Sequence, residues 1–278
     1  MPPQKSKVVG RYGRPSKRKS FSLKLRFSRK FFYLAFLTAI LAGAFYFFLI
    51  SGSFEIKEVN VSGFEEVSEE QILGAVNNIL GEKKFGIFGA DNYFLLSEEK
   101  LQSSILVSLL KVRAVDIKKI DKNVLEIYVE ERKIVGVWCG DNGCFYFDKE
   151  GVIFDQAPRS FGSLMVSVTD ERDIEPNLGS VVLEEAQVNL AQEAHRLVGN
   201  NFPFGIRGII ITPDAEFEIL TSENWRILLN KNEDIEYQLS NLKYVLDEEI
   251  GTRSGELEYV DLRLGNRVYY KYWGETVD

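Results

Sequence analysis

Cys139 and Cys144 are the chain's two cysteines, and they enclose Gly-Asp-Asn-Gly between two apolar stretches. If Asp141-Asn142 forms a two-residue turn, Gly140 faces Gly143 and the cysteines are directly opposed, roughly 4.5 Å apart at Cα, which suits a disulfide. If Asn142-Gly143 makes the turn, they fall out of register, and two buried thiols are the alternative reading. The spacing is not the C-x-x-C of a redox centre. His195, the one histidine, lies two positions from Leu197 with no cysteine or second histidine at ligand spacing, which argues against a metal centre and leaves a would-be base without a partnered nucleophile. A membrane-anchored serine–lysine peptidase is the sharpest enzymatic rival, yet no serine stands in a nucleophile turn such as G-x-S-x-G. The residues therefore predict no catalysis, no cofactor and no small-molecule substrate.

Charge position says more. Of 34 Lys and Arg, eleven lie in residues 1–30, which contain no Asp or Glu, leaving 23 basic against 41 acidic residues beyond. Between the two lies Phe31 to Ile50, an uncharged apolar run long enough as a helix to cross roughly 30 Å of hydrocarbon. A cleaved signal peptide would have a shorter basic region and a shorter apolar stretch, although Ser51-Gly52-Ser53 is small enough for a cleavage site. The preferred reading is an uncleaved anchor with the basic tail inside and residues 53–278 outside. A nucleic-acid arm is the rival for the tail, but membrane topology and anionic headgroups already account for its charge, so no nucleic-acid partner is expected. The acidic exterior reads as a solvated surface, or as steering toward basic partners.

The exterior elements fall into two modules. Phe54 to Val61 alternates as a half-buried strand. Ser68-Glu69-Glu70-Gln71 is a capping box that opens a helix over 69–80, and Ser97 opens a second amphipathic helix. Strands follow at Val112 to Ile120 and Val124 to Val129, giving β-α-α-β-β. Phe85, Phe88, Tyr93 and Phe94 between the helices make either a docking loop or a small local core. In the second module, strands flank both the cysteines and the Asp148-Lys149-Glu150-Gly151 turn, with Asn-Gly supplying positive φ. A strand is expected at Leu164 to Val168, a helix at Glu184 to Val198 ending on Gly199-Asn200, and strands near Ile206 to Ile211, Glu216 to Leu220 and Trp225 to Leu229. A helix at Asn232 to Ile250 closes on Gly251, and a hairpin joins Leu257 to Leu264 with Arg267 to Trp273.

With those parts in place the chain resembles the FtsQ/DivIB family of bacterial cell-division proteins, whose membrane-proximal module is a POTRA domain. The resemblance is carried by SFEIKEVNVSGFEEVSEEQI just outside the span, by VLEIYVEER, by Arg132, Trp138, Asp148 and Gly151 in the junction, and by Tyr259-Val260-Asp261-Leu262-Arg263. Ile134 and Gly136 depart from the Pro and Ala usual there. The resemblance implies an α+β protein with a basic cytoplasmic tail (1–30), a transmembrane helix (31–50), a POTRA domain (53–131), an FtsQ-type β domain with two helices (132–273) and a short tail (274–278). It implies a non-catalytic scaffold in the cytoplasmic membrane at the septum, whose partners are the coiled-coil division proteins FtsB (DivIC) and FtsL. The terminal hairpin is then the docking edge, with Arg263, Leu264, Asn266, Val268, Tyr270 and Lys271 as its residues, Arg263 reaching a partner carboxylate. Core packing is the alternative for Tyr270. The competing function is a signal-anchored POTRA protein of another envelope assembly or secretion system, which would repeat such units or add a barrel.

Overall fold

The computed structural model describes residues 10, 13, 29–50, 52–84, 88–159, 165–214 and 216–275. Most of the basic tail, Ser51, Phe85 and Leu164 lie outside the described residues. Contacts divide the chain into residues 1–51 and 52–278. In the first unit, α1 (Arg29–Leu49) is the helix among the described residues that is long and apolar enough to cross a membrane. Its uncharged run is preceded by Arg29 and Lys30, which begin the helix before the apolar stretch does.

The second unit opens with β1 (Glu58–Ser62), α2 (Glu69–Leu80), a two-stranded ribbon β2 (Lys83–Lys84) and β3 (Phe88–Gly89), α3 (Glu98–Ser108), β4 (Val112–Asp121) and β5 (Val124–Glu131). The capping box forms at α2: Gln71 N donates to Ser68 Oγ (3.3 Å), and Ser68 N to Gln71 Oε1 (3.1 Å). Both helices turn apolar faces onto the sheet, and Ile72, Val76, Leu101, Ile105, Leu125 and Val129 make a core with no more than 1% exposure at any of them. The sheet order is β1-β5-β4, with β1 and β5 parallel.

β1 starts four residues later than alternation predicts. The backbone of 54–57 is spent elsewhere: Ile56 N donates to Asp91 O (2.8 Å) beside an isolated antiparallel bridge of Glu55 with Asn92, and Lys57 N donates to Asn123 O (2.9 Å), so this stretch is stapled to two loops instead of the sheet.

The rest is a nine-stranded sheet. Its strands are β6 (Gly136–Gly140), β7 (Gly143–Phe147), β8 (Ile153–Ala157), β9 (Val166–Asp170), β10 (Ile206–Ile211), β11 (Phe217–Thr221), β12 (Arg226–Leu229), β13 (Leu257–Leu264) and β14 (Arg267–Tyr272). Their order is β14-β13-β12-β11-β10-β9-β6-β7-β8. Two helices, α4 (Glu185–Asn201) and α5 (Ile235–Val245), share one buried core with the sheet: Val188, Leu197 and Leu242 meet Trp138, Ile219, Trp225 and Val260.

α4 runs past Gly199, and the stronger break lies four residues on. Pro203 disfavours helical geometry at the residue before it, and Phe202 is extended at φ −126 and ψ 153. The stretch expected as one helix to Ile250 begins only after Asp234, whose Oδ1 accepts from Tyr237 N (2.7 Å), and it leaves α geometry after Val245. A wider turn (Leu246–Ile250) and a tighter one (Gly251–Glu256) follow, with Ile250 buried between them. The cysteine hairpin pairs Cys139 with Cys144 and Gly140 with Gly143, so Asp141-Asn142 is the turn. Positive φ there falls on Gly143 alone (φ 132) and not on Asn142.

The two modules meet through charge. Arg132 pairs with buried Asp148 and donates from Nε to Leu110 O (3.1 Å). Lys111 pairs with Asp155 (3.0 Å), and Arg113 with Glu150 (3.2 Å).

Candidate partner-binding site on the terminal hairpin

β13 and β14 are joined by Gly265-Asn266, which closes the pair Leu264–Arg267. Gly265 has φ +67 and Asn266 does not, the pattern of a turn with glycine at its first central position. β14 is the edge of the nine-stranded sheet. Register sorts side chains into two rows. Ile219, Ile227, Val260 and Tyr270 lie across the helix-covered face, while Leu220, Arg226, Tyr259 and Lys271 lie across the other. That second face holds a groove of about 380 Å³ bordered by Glu218, Leu228, Tyr259 and Trp273.

The outer backbone of β14 has a definite polarity. Trp273 N donates to Glu256 O (3.0 Å). By alternation the N–H groups of Lys271 and Tyr269 also point inward, and those of Val268 and Tyr270 point away from β13.

The six expected residues divide by what already holds them. Leu264 (57% exposed), Asn266 and Tyr270 (39%) present surface, and Tyr270 packs edge-on against Tyr272 with ring centroids 5.6 Å apart. Val268 is half-buried against the core. Arg263 does not project a free guanidinium: Nε and Nη2 donate to Asp261 (2.9 and 2.6 Å), and Nη1 donates to Glu216 (2.5 Å). The hydrogen bond with Asp261 raises the Arg263 pKa above its ordinary value. Lys271 is likewise paired with Glu258 at 2.7 Å.

Exposed Tyr269 and Trp273 (64%) flank the same edge on the face opposite Tyr270 and were missed from sequence, although the aromatic run through residues 269–273 was the available signal. Sequence reasoning also missed the internal networks. Asp170 accepts from Trp138 Nε1 (3.0 Å) and from Arg172 Nε (2.8 Å). Glu131 accepts from the N–H groups of Glu65 (2.8 Å), Glu66 and Val67 (2.9 Å).

At the other end of the sheet Cys139 and Cys144 are bonded through their sulfurs, with Cα atoms 4.1 Å apart. His195 is half-exposed on α4. Among the described residues no group of three His, Cys, Asp or Glu side chains stands in a metal-binding arrangement.

Residues 136–263 match the family described as cell division protein FtsQ/DivIB, C-terminal. That span runs from β6 to the next-to-last residue of β13, so Arg263 lies inside it and β14 beyond it. No curated protein matches the chain. Residues 136–263 thus carry the C-terminal domain of the FtsQ/DivIB cell-division proteins, in a chain whose N-terminal apolar helix is long enough to span a membrane.

Proposed function

We propose that the protein is a non-catalytic, single-pass scaffold of the division machinery that captures an extended segment of another membrane-anchored division protein along β14. FtsB (DivIC in other bacteria) and FtsL are the partners, and septal peptidoglycan synthesis is the process regulated through them. The carrying observation is the edge position of β14, whose outward backbone groups at Val268 and Tyr270 sit beside exposed Leu264, Tyr269 and Trp273. An added strand would satisfy those groups, and the aromatic side chains would supply contact area at low entropic cost.

The basic tail lies on the cytoplasmic side in this reading, by the positive-inside rule, with residues 53–278 outside. Residues 53–131 act as the POTRA docking module and 132–273 as the β domain. Arg263 and Lys271 contribute by stiffening the hairpin and not by reaching across to the partner.

The experiment is capture of the exterior segments of FtsB and FtsL from the same organism by the full chain in detergent. Removal of everything after Gly255 would also strip Leu257, Val260 and Leu262 from the core, so the informative comparison is with single substitutions on β14. Binding that survives every β14 substitution would refute the site. No binding by the intact folded chain would shift the function to another envelope assembly.

A further inference from the structure

Three segments converge where the chain enters its first module: residues 53–57, the loop 89–96 and the β4–β5 turn. Tyr93 N donates to Phe54 O and Ile56 N to Asp91 O, both at 2.8 Å. Asn123 Nδ2 donates to Glu55 O (2.6 Å) and Ser53 O (3.4 Å), and Asn123 O accepts from Lys57 N and Glu58 N. These bonds hold an aromatic group in place. Phe94 stands 5.1 Å from Phe54 and 5.3 Å from Tyr93 by ring centroids. Phe94 is 54% exposed, and Ile120, beside the turn, is 58% exposed.

Single exposed apolar side chains are ordinary on a protein surface. The position of these in the chain is not. Ile50 ends the apolar run, and the four peptide steps from it to Phe54 reach at most about 14 Å. The headgroup layer beyond the hydrocarbon is roughly 5–8 Å deep on each side. Phe54 therefore cannot be carried far from that layer, and Phe94 is packed on Phe54. Aromatic rings favour this depth, and lysine stems suit it because the ammonium can reach water. Lys57 and Lys122 are exposed here, and Lys119 Nζ lies over the Tyr93 ring at 5.2 Å. Glu55, Asp91 and Asp121 share the same end, so the surface is not a basic patch that would select anionic lipid.

We infer that this end of the first module is a lipid-contacting surface, with Phe94 and Ile120 seated in the headgroup layer of the bilayer that anchors the chain. The partner is the lipid itself, zwitterionic as readily as anionic. The inference rests on the membrane span and is independent of the β14 site.

The test uses the full chain in phosphatidylcholine nanodiscs with Phe94→Trp, read by quenching from lipid brominated near the headgroup end of its acyl chains. Emission from the new indole falls about twofold relative to the parent chain's tryptophans, and added salt does not restore it. Ile120→Trp behaves alike and guards against a folding defect at position 94. Tyr128→Trp, on the exposed face farther along β5, is not quenched. Indoles at 94 and 120 that respond to aqueous iodide but not to brominated lipid would overturn the inference. So would equal lipid quenching at 128, because the contact would then not be specific to this end.

Discussion

Asp261 holds Arg263 with both carboxylate oxygens: Oδ1 accepts from the Arg263 backbone N–H (3.0 Å) and Nε (2.9 Å), and Oδ2 accepts from Nη2 (2.6 Å). Asp170 holds Arg172 in the same way, at 3.1, 2.8 and 2.5 Å. The Asp-x-Arg spacing returns the guanidinium onto the carboxylate two residues earlier, along β13 for Asp261 and across the bend that follows β9 for Asp170. Arg263→Ala strips the partner from a mostly buried carboxylate and lowers stability by about 1–3 kcal/mol, read as a fall in melting temperature. Arg263→Lys recovers only part of the loss, since an ammonium cannot make the paired bonds. Unchanged melting with impaired capture of FtsB would contradict the assignment of Arg263 to the hairpin's own structure.

Acid stability should fall in a defined direction. Burial opposes ionisation of Glu131, Asp170 and Asp261, but backbone N–H donors at Glu131 and arginine at the two aspartates outweigh it and hold all three below their ordinary values. A carboxyl with a depressed folded-state pKa binds its proton more readily when unfolded. Its contribution is complete above the unfolded range near about pH 4 and disappears as pH falls through the folded values. The urea midpoint should drop steeply between about pH 5 and about pH 3. Glu131→Gln should lower it at neutral pH and flatten that drop.

How much of this was readable beforehand depended on range. The Ser68 and Gln71 capping box, the β-α-α-β-β order and the terminal hairpin are local patterns, and periodicity and turn chemistry state them directly. Helix α4 continues past Gly199 because the stronger local break is Pro203, which restricts the residue before it. The Glu131 bonds to residues 65–67 and the Glu216 bond to Arg263 join positions far apart in sequence, and nothing local marks them. For the proposed partner residues the available signal is the exposure expected of a strand at a sheet edge. Leu264 and Tyr270 are exposed as that logic expects, but it could not see that Arg263 is paired with Asp261 on its own strand and with distant Glu216, or Lys271 with Glu258 on β13.

Gly136 is where the family's usual alanine is absent. A Cβ added there would lie 2.3 Å from Val166 O and 2.8 Å from the Phe147 ring. The backbone of β9 and a fully buried ring are the neighbours, so neither yields cheaply. Gly136→Ala should cost about 1–3 kcal/mol by overpacking, measured by urea unfolding. A neutral result would mean that β6 and β9 separate more easily than their register implies.

The Cys139–Cys144 bridge closes a short loop across one hairpin. Chain-entropy reasoning gives a stabilisation of about 2 kcal/mol at most for so few residues, and the sheet already holds both strands. Mass analysis of the unreduced protein after alkylation should find no modified thiol, and Cys139→Ser with Cys144→Ser should lower the melting temperature only modestly. Two alkylated thiols in protein from the native compartment would show that the bridge does not form there.

Strand capture at β14 can be separated from folding by one N–H at a time. The Val268 N–H points away from β13, so Val268→Pro removes a donor that only an added strand would use, and edge strands tolerate proline when the missing N–H faces outward. The loss of one backbone hydrogen bond predicts about a threefold to tenfold weaker affinity for the FtsB segment, with a small change in melting temperature from the half-buried side chain. Tyr269→Pro removes an N–H that points to β13 and should destabilise the hairpin itself. If Val268→Pro binds as tightly as the parent, the partner does not extend the sheet at that residue, and the exposed aromatic face of Tyr269 and Trp273 becomes the surface to mutate next.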